Sequence, residues 1–379
     1  MNFNLTEEQQ MLQDSLRRFL ANEYGFEKRK EIIAAGQGLD KPTWNAFAEM
    51  GLLGYTLPEE YGGLGGNAMD TLLVMESFGR ALVIEPYLST VVLGGGIIQD
   101  AGSDEQKERI LPKIATGEEF LALAHQEPGG RHNLDYVRTE IQKHGDDYIL
   151  NGRKTAVLNA AGAHYLIVSG RRGGRPTEPV SLFLVNHDTS GVEIEEYTTH
   201  DGHRVADVIL DSVMVSDDDR IGARGQAMPI VEKGVDRAIA ALCAEAVGAM
   251  EALNETTMEY VKTRQQFGMP IGKFQVIQHR LADMFIAAEQ AKSMAILAAS
   301  MADSDDRKQR REAVSMAKTL VGQSARYVGQ QAVQLHGGMG VTDEMFAAHL
   351  FKRLTLINLQ FGDADYHLGQ VSDGLLKSA

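Results

Sequence analysis

Arg264-Gln-Gln-Phe267-Gly268-Met-Pro-Ile-Gly-Lys-Phe-Gln275 and, further on, Gln334-Leu-His336-Gly337-Gly338-Met-Gly340 interrupt an otherwise helical C-terminal half. Ala/Met/Val-rich stretches at 227–263, 275–302 and 310–335 surround them and predict a helical bundle with substantial burial. The Gly268-Met-Pro270 break turns the chain between two helices and leaves Phe267 free to pack on an aromatic ring. Arg264 offers a planar fork of donors that suits a phosphate. Gly337 and Gly338 have no side chains, so their backbone N–H groups can come close to an anion. Each feature alone has a plainer reading: a helix–turn–helix with a surface ion pair at Arg264, and a flexible glycine loop.

The rest of the chain falls into three textures. Thr6-Glu-Glu-Gln9 reads as a capping box, followed by Leu5, Met11, Leu12, Leu16, Phe19 and Leu20 at helical spacing. Helical patterns continue to about Gly117, and the glycine-rich 62–66 segment lacks the strand–loop–helix frame of a phosphate cradle. Short β-rich runs follow at 148–150, 165–169, 181–185 and 205–210, separated by turns such as Asn151-Gly152 and Arg171-Arg-Gly-Gly-Arg-Pro176. The expected class is α+β: an N-terminal helical domain (1–118), a middle antiparallel β domain (119–224) and a C-terminal helical bundle (225–379).

Composition narrows the function. The 379 residues are 44% hydrophobic, enough for a large core. A formal charge of −15 disfavours general binding to nucleic acid or anionic lipid, so an anionic ligand needs local positive groups. The single cysteine, Cys243, allows no intrachain disulfide and no Cys-based metal site, which fits a reducing cytoplasm. No apolar run reaches membrane-span length, and the N-terminus lacks the pattern of a secretory signal.

In their order and setting, the two C-terminal motifs resemble those of the acyl-CoA dehydrogenase flavoprotein family, and the resemblance spans essentially the whole chain. It implies FAD as cofactor and an acyl-CoA thioester as substrate. In that family an arginine, a Phe-Gly turn, a second glutamine and a Gln-x-x-Gly-Gly segment contact the FAD held mainly by a neighbouring subunit. Here those positions are Arg264, Phe267, Gln275, Gln334, Gly337 and Gly338.

Other family positions are altered. The reaction removes an α-proton with a carboxylate while the β-hydride passes to the flavin. Many relatives place that glutamate in a Tyr-Glu-Gly-Thr segment; the matching Asn358-Leu-Gln360-Phe361-Gly362-Asp363 has Phe361, which accepts no proton. Asp363 and Asp365 are displaced from the position. A second family solution sets a carboxylate before an arginine on the first helix of the C-terminal domain, here Asp236-Arg237. Asp236 then becomes a candidate base, with Arg237 orienting substrate; the plainer reading pairs Asp236 with Lys233 one turn earlier. At the flavin ring, the family's Thr-Glu-Pro and Trp-Ile-Thr/Ser segments become Gln126-Glu127-Pro128 and Ala156-Val157-Leu158. Leu158 offers no side-chain hydrogen bond and Ala156 cannot cover the ring. His125, Arg131 and His132 read as a solvated loop.

Tail-binding positions serve a partner's flavin, whereas ring and base positions serve the chain's own. Keeping the first and losing the second is the pattern of a helper subunit. It is most similar to the small subunits of pimeloyl-CoA dehydrogenase-type enzymes. The resemblance implies a larger partner subunit in an α2β2 heterotetramer, a medium-chain or dicarboxylyl thioester of fatty acid metabolism, and electron-transfer flavoprotein as acceptor. The alternatives are a self-sufficient homo-oligomer using Asp236, and a catalytically inactive scaffold.

Overall fold

The computed structural model describes residues 5–376. Helices come first: α1 (Glu7–Glu23), α2 (Phe26–Ala35), α3 (Lys41–Glu49), α4 (Ala68–Ala81), α5 (Gly96–Ala101) and α6 (Asp104–Ala115). Eight strands follow: β1 (Leu121–Ala124), β2 (Glu140–His144), β3 (Asp147–Leu158), β4 (Tyr165–Arg172), β5 (Val180–Asn186), β6 (Val192–Thr198), β7 (Arg204–Val215) and β8 (Arg220–Ile221). The chain then returns to helix in α7 (Ala227–Thr263) and turns through a hairpin of β9 (Gln265–Gln266) and β10 (Met269–Pro270). It closes with α8 (Gln275–Ala302), α9 (Arg307–His336), α10 (Phe346–Leu359) and α11 (Ala364–Leu376). Thr6 accepts from Gln9 N while the Gln9 side chain returns to Thr6 N, so the expected capping box starts α1.

Two compact units make up the chain. One takes Met1–Ala34, Ala68–Val83 and Ile239–Ala379; the other takes Ala35–Asn67 and Ile84–Ala238. In the first, α8 packs on α9 through a stripe of small residues: Ala288, Ala291, Ala295, Ala298 and Ala302 recur every three or four positions and are buried. Elsewhere around α8 Val276, Phe285 and Ile286 are exposed, so part of its apolar surface is left uncovered by the described residues. Cys243 is buried in α7, and burial pushes its thiol up to about 12, which removes it as a nucleophile.

The second unit is built on the eight-stranded sheet, ordered β6-β7-β3-β2-β4-β5-β8, with β1 joined to β4. Pairing is antiparallel except that β4 runs parallel to β1 and to β2. Asn151-Gly152, expected as a turn, instead lies inside β3 at a break in its register with β7. A Cβ on Gly152 would come within 2.5 Å of Thr139 Oγ1, and Asn151 Oδ1 accepts from Ser212 N at 2.8 Å. Glycine is there for close packing across the bulge, not for a hairpin. Within the glycine-rich 62–66 segment Gly63 also has a packing role, since a Cβ there would collide with the Leu57 carbonyl.

Candidate functional site

At the end of α7 the chain reverses through Phe267 and Gly268, with φ of +54° and +81°, between the paired β9 and β10. Two consecutive positive φ values are those of a type I′ hairpin turn; glycine accepts this freely and phenylalanine does not. The Phe267 ring is nonetheless 88% exposed. An aromatic held in a disfavoured backbone conformation and largely offered to solvent, with only an edge contact to Phe274 at 6.0 Å between ring centroids, points to an external contact. Ile271 N donates to Arg264 O at 2.8 Å and closes the hairpin. The Arg264 side chain is exposed and has no partner among the described residues. Helix α8 then starts at Gln275 with Phe274 as its N-cap, which contributes no side-chain hydrogen bond; Ile277 N donates to Phe274 O at 3.0 Å, which leaves the N–H groups of Gln275 and Val276 available.

The glycine segment lies beside this hairpin. The Tyr260 ring, one turn before Arg264, stacks on His336 at 4.4 Å, and its hydroxyl donates to His336 O at 3.2 Å. Arg280 Nη1 donates to Gln331 Oε1 at 3.0 Å and ties the start of α8 to the end of α9. Arg264, Phe267, Gln275, Gln334, Gly337 and Gly338 are therefore carried on three linked segments of one unit, and all six are exposed. Gly337 adopts φ +61° and ψ −142°, a region reserved for glycine. A Cβ on Gly338 would meet nothing within 4 Å, so the fold does not require glycine there, whereas close approach of a ligand would. An unpaired guanidinium, an exposed aromatic, an uncapped helix start and a glycine without a packing role fit a phosphate-bearing, ring-bearing tail such as that of FAD. Tyr260 and Arg280 escaped sequence reading; the one signal was the one-turn spacing of Tyr260 from Arg264.

The ring-side segments are built differently. His125, expected on a solvated loop, is buried: Nδ1 lies 2.9 Å from Ser169 Oγ and Nε2 2.9 Å from Leu134 O. Arg131 remains exposed and His132 half-buried. Lys154, 0% exposed, draws this loop onto the sheet. Its ammonium reaches Glu127 Oε1 at 2.7 Å and Ser169 Oγ at 3.0 Å, while Glu127 also takes Thr139 N and Oγ1. Burial pushes Lys154 down to about 8, with Glu127 opposing. Burial also works against the Glu127 carboxylate, but Lys154 and Thr139 outweigh it and hold its pKa below the ordinary value.

Burial, aided by the charge of Lys154, pushes the His125 imidazole down to about 4 from an ordinary 6.5. The unfolded chain binds the extra proton between those values, so stability rises with pH across that window and is lost as pH falls through it. His125→Gln should flatten the decline in melting temperature between pH 6.5 and 4, removing up to about 3 kcal/mol of acid sensitivity. An unchanged slope would mean that other groups dominate acid unfolding.

Ala156 has φ +51°, and its N–H is taken by Asp207 Oδ1 at 3.1 Å. Asp207 also accepts from Thr155 Oγ1 at 2.8 Å, Tyr197 Oη at 3.1 Å and Arg153 Nη2 at 2.9 Å. Burial raises the cost of its charge, yet these donors keep its pKa below the usual carboxylate range. With the Ala156 N–H consumed and Leu158 apolar, residues 156 and 158 have no side-chain donor for a polar ring edge. This side does not fit the flavin ring as its family counterpart would.

Of the two base positions, one has no carboxylate and the other has a buried one. Phe361 follows α10 in a turn with φ +55°, and its carbonyl faces His367 Nε2 at 3.0 Å. Asp363 caps α11 by accepting from Tyr366 N at 2.8 Å, and Asp365 is exposed in that helix's first turn. Asp236 is 2% exposed on α7. The neighbouring Arg237 turns to Asp100 at 2.6 Å, and Lys233 lies 4.0 Å from the same carboxylate. Among the described residues, no group of three His, Cys, Asp or Glu side chains could hold a metal, and no helix is long and apolar enough to cross a membrane.

Models of the acyl-CoA dehydrogenase N-terminal, middle and C-terminal domains match residues 6–118, 122–213 and 226–376. The chain is 30% identical to the probable acyl-CoA dehydrogenase YngJ of Bacillus subtilis, over 100% of both chains. It is 29% identical to the caffeyl-CoA reductase-Etf complex subunit CarC of Acetobacterium woodii, over 98% of this chain and 99% of that one. Among solved structures, a variant of the Tcur3481-Tcur3483 steroid ACAD superposes with a TM-score of 0.88 at 27% identity, covering 98% of each chain.

Proposed function

The chain belongs to the acyl-CoA dehydrogenase family, whose members dehydrogenate acyl-CoA with FAD, and from that premise we propose that it works as the helper subunit of a two-subunit enzyme. The observation that carries this reading is the asymmetry of its two half-sites. Six tail-facing residues are exposed and held together by Tyr260 and Arg280, while Phe361, Ala156 and Leu158 lack the groups that a base and a ring contact need. The exposed apolar residues of α8, with Phe267, Met339 and Val341, support assembly, since large apolar side chains left in solvent favour burial against a partner. A two-component steroid ACAD and a CoA reductase subunit in an Etf complex among its relatives agree with such an assembly.

In this reading FAD held by the larger subunit would supply the hydride-accepting chemistry. Arg264 would meet its phosphates, Phe267 would pack against a ring of its tail, Gln275 and Gln334 would offer amide hydrogen bonds, and Gly337 and Gly338 would admit close backbone approach. The larger subunit contributes the carboxylate that removes the α-proton. The substrate is a medium-chain or dicarboxylyl thioester, the assembly an α2β2 heterotetramer, and the acceptor an electron-transfer flavoprotein.

The burial of Asp236 favours a second reading, because a desolvated carboxylate can serve as a base. Asp236→Asn separates the two. Turnover of the assembled enzyme with octanoyl- or pimeloyl-CoA should stay within about threefold of wild type if the base is elsewhere. Loss of about a hundredfold or more, with flavin content unchanged, would make Asp236 the base and this chain self-sufficient.

A further inference from the structure

We infer that the end of the β domain flanked by β2, β4, β5 and β8 binds a phosphate-class anion through residues other than those assigned to the flavin and base positions. A cavity of about 220 Å³ there is lined by Lys143, Arg172, Arg220 and Arg224, with Glu178 the one carboxylate on its wall. Four cations share a single cavity in a chain of formal charge −15. Arg220 is already neutralised, its fork donating to Asp217 at 2.6 and 2.8 Å. Lys143, Arg172 and Arg224 have no ion pair or side-chain hydrogen bond among the described residues. Lys143, Arg172 and Arg224 are exposed, so water screens their mutual repulsion, and an anion seated between them would relieve what remains.

The wall is also set in advance. Buried Arg171 donates to Glu178 O and Asp135 O, each at 2.7 Å, and to Pro176 O, which fixes the loop between β4 and β5. Gly225, at φ +75°, lies so close to Pro179 that a Cβ would come within 2.9 Å of its ring. From that position Gly225 N donates to the buried Ser181 Oγ at 3.0 Å, which leaves the Ser181 hydrogen free for a guest. Two arginine forks, an ammonium and a hydroxyl match the oxygens of a phosphate monoester. The volume exceeds that of the anion alone, and Ile141 and Phe183 give its organic portion an apolar wall. Glu178 disfavours a guest that carries further negative charge on that side.

Calorimetric titration of the full-length chain at low ionic strength tests this, with inorganic phosphate as the first probe. Saturable binding is expected, weakening as salt is added. The double variant Arg172→Ala/Arg224→Ala should weaken it about tenfold or more, with an unchanged melting curve as the control for folding. Lys143→Ala should act in the same direction and serves if the double variant does not fold. CoA and CoA lacking its 3′-phosphate then separate two sources of the same chemistry. A preference for intact CoA that disappears in the variant identifies the coenzyme's own phosphate. Equal binding of both, with phosphate binding retained, identifies a separate phosphate compound. Non-saturable phosphate binding, or variants that titrate like wild type, would overturn the site. The inorganic phosphate arm does not depend on the acyl-CoA reading, so the two can fail independently.

Discussion

Arg264→Ala, introduced into this chain within an assembled two-subunit complex, is expected to weaken FAD retention about a hundredfold without changing the melting of the lone chain. The Arg264 side chain is exposed and has no partner among the described residues, so its removal takes nothing from the fold. Hydrogen bonds to a charged group contribute about 1.5–3 kcal/mol, and loss of a bidentate phosphate contact lies at the upper end of that range. About 3 kcal/mol corresponds to roughly a hundredfold in affinity. Gly338→Ala gives the same separation by shape, since the added methyl meets nothing in this chain and can only obstruct a ligand. Flavin loss measured by absorbance during dialysis reads both. If Arg264→Ala retains FAD as wild type does, the tail assignment falls.

Gly248→Ala has the opposite profile, a large loss of stability with no ligand involved. Helices α4 and α7 cross with glycine against backbone on both sides: a Cβ on Gly248 would collide with the Glu76 carbonyl, and one on Gly79 with the Glu245 carbonyl. Both contacts press on helix backbone, which cannot swing aside as a flexible side chain can. Overpacking of a rigid contact costs roughly 3 kcal/mol, and alanine's better helix propensity recovers only about 1 kcal/mol of it. The crossing also positions Glu245, whose carboxylate is paired in a buried fork with Arg353 at 2.5 and 2.7 Å. Combining Gly248→Ala with Gly79→Ala should cost less than the sum, because one separation of the helices relieves both collisions. Chemical denaturation of the single variants and the double measures this, and a Gly248→Ala chain as stable as wild type would show that the crossing is loose.

Local patterns were legible because they depend on neighbours in sequence. The Thr6–Gln9 capping box and the helices 227–263 and 275–302 were read with the bounds the structure shows. What long-range pairing decides was not legible. Asn151-Gly152 has the composition of a hairpin, but Thr139 across the sheet requires a glycine within β3. His125 looked solvated until the Lys154–Glu127 pair, 27 residues apart in sequence, drew its loop into the sheet. The six positions proposed to meet an FAD tail are legible through the family resemblance of their motifs, while Tyr260 and Arg280, which hold those segments together, carry no motif of their own. Asp207 was missed for a similar reason, because it holds the αL bend at Ala156 from a neighbouring strand.

Flavin content per chain, measured by absorbance after purification alone and again after co-expression with a larger homologous subunit, tests the helper-subunit account most directly. The account predicts a colourless lone chain and a yellow complex with about one FAD per pair of unlike subunits. One tightly bound FAD per chain in the lone protein would contradict it and leave Asp236 as the base to examine.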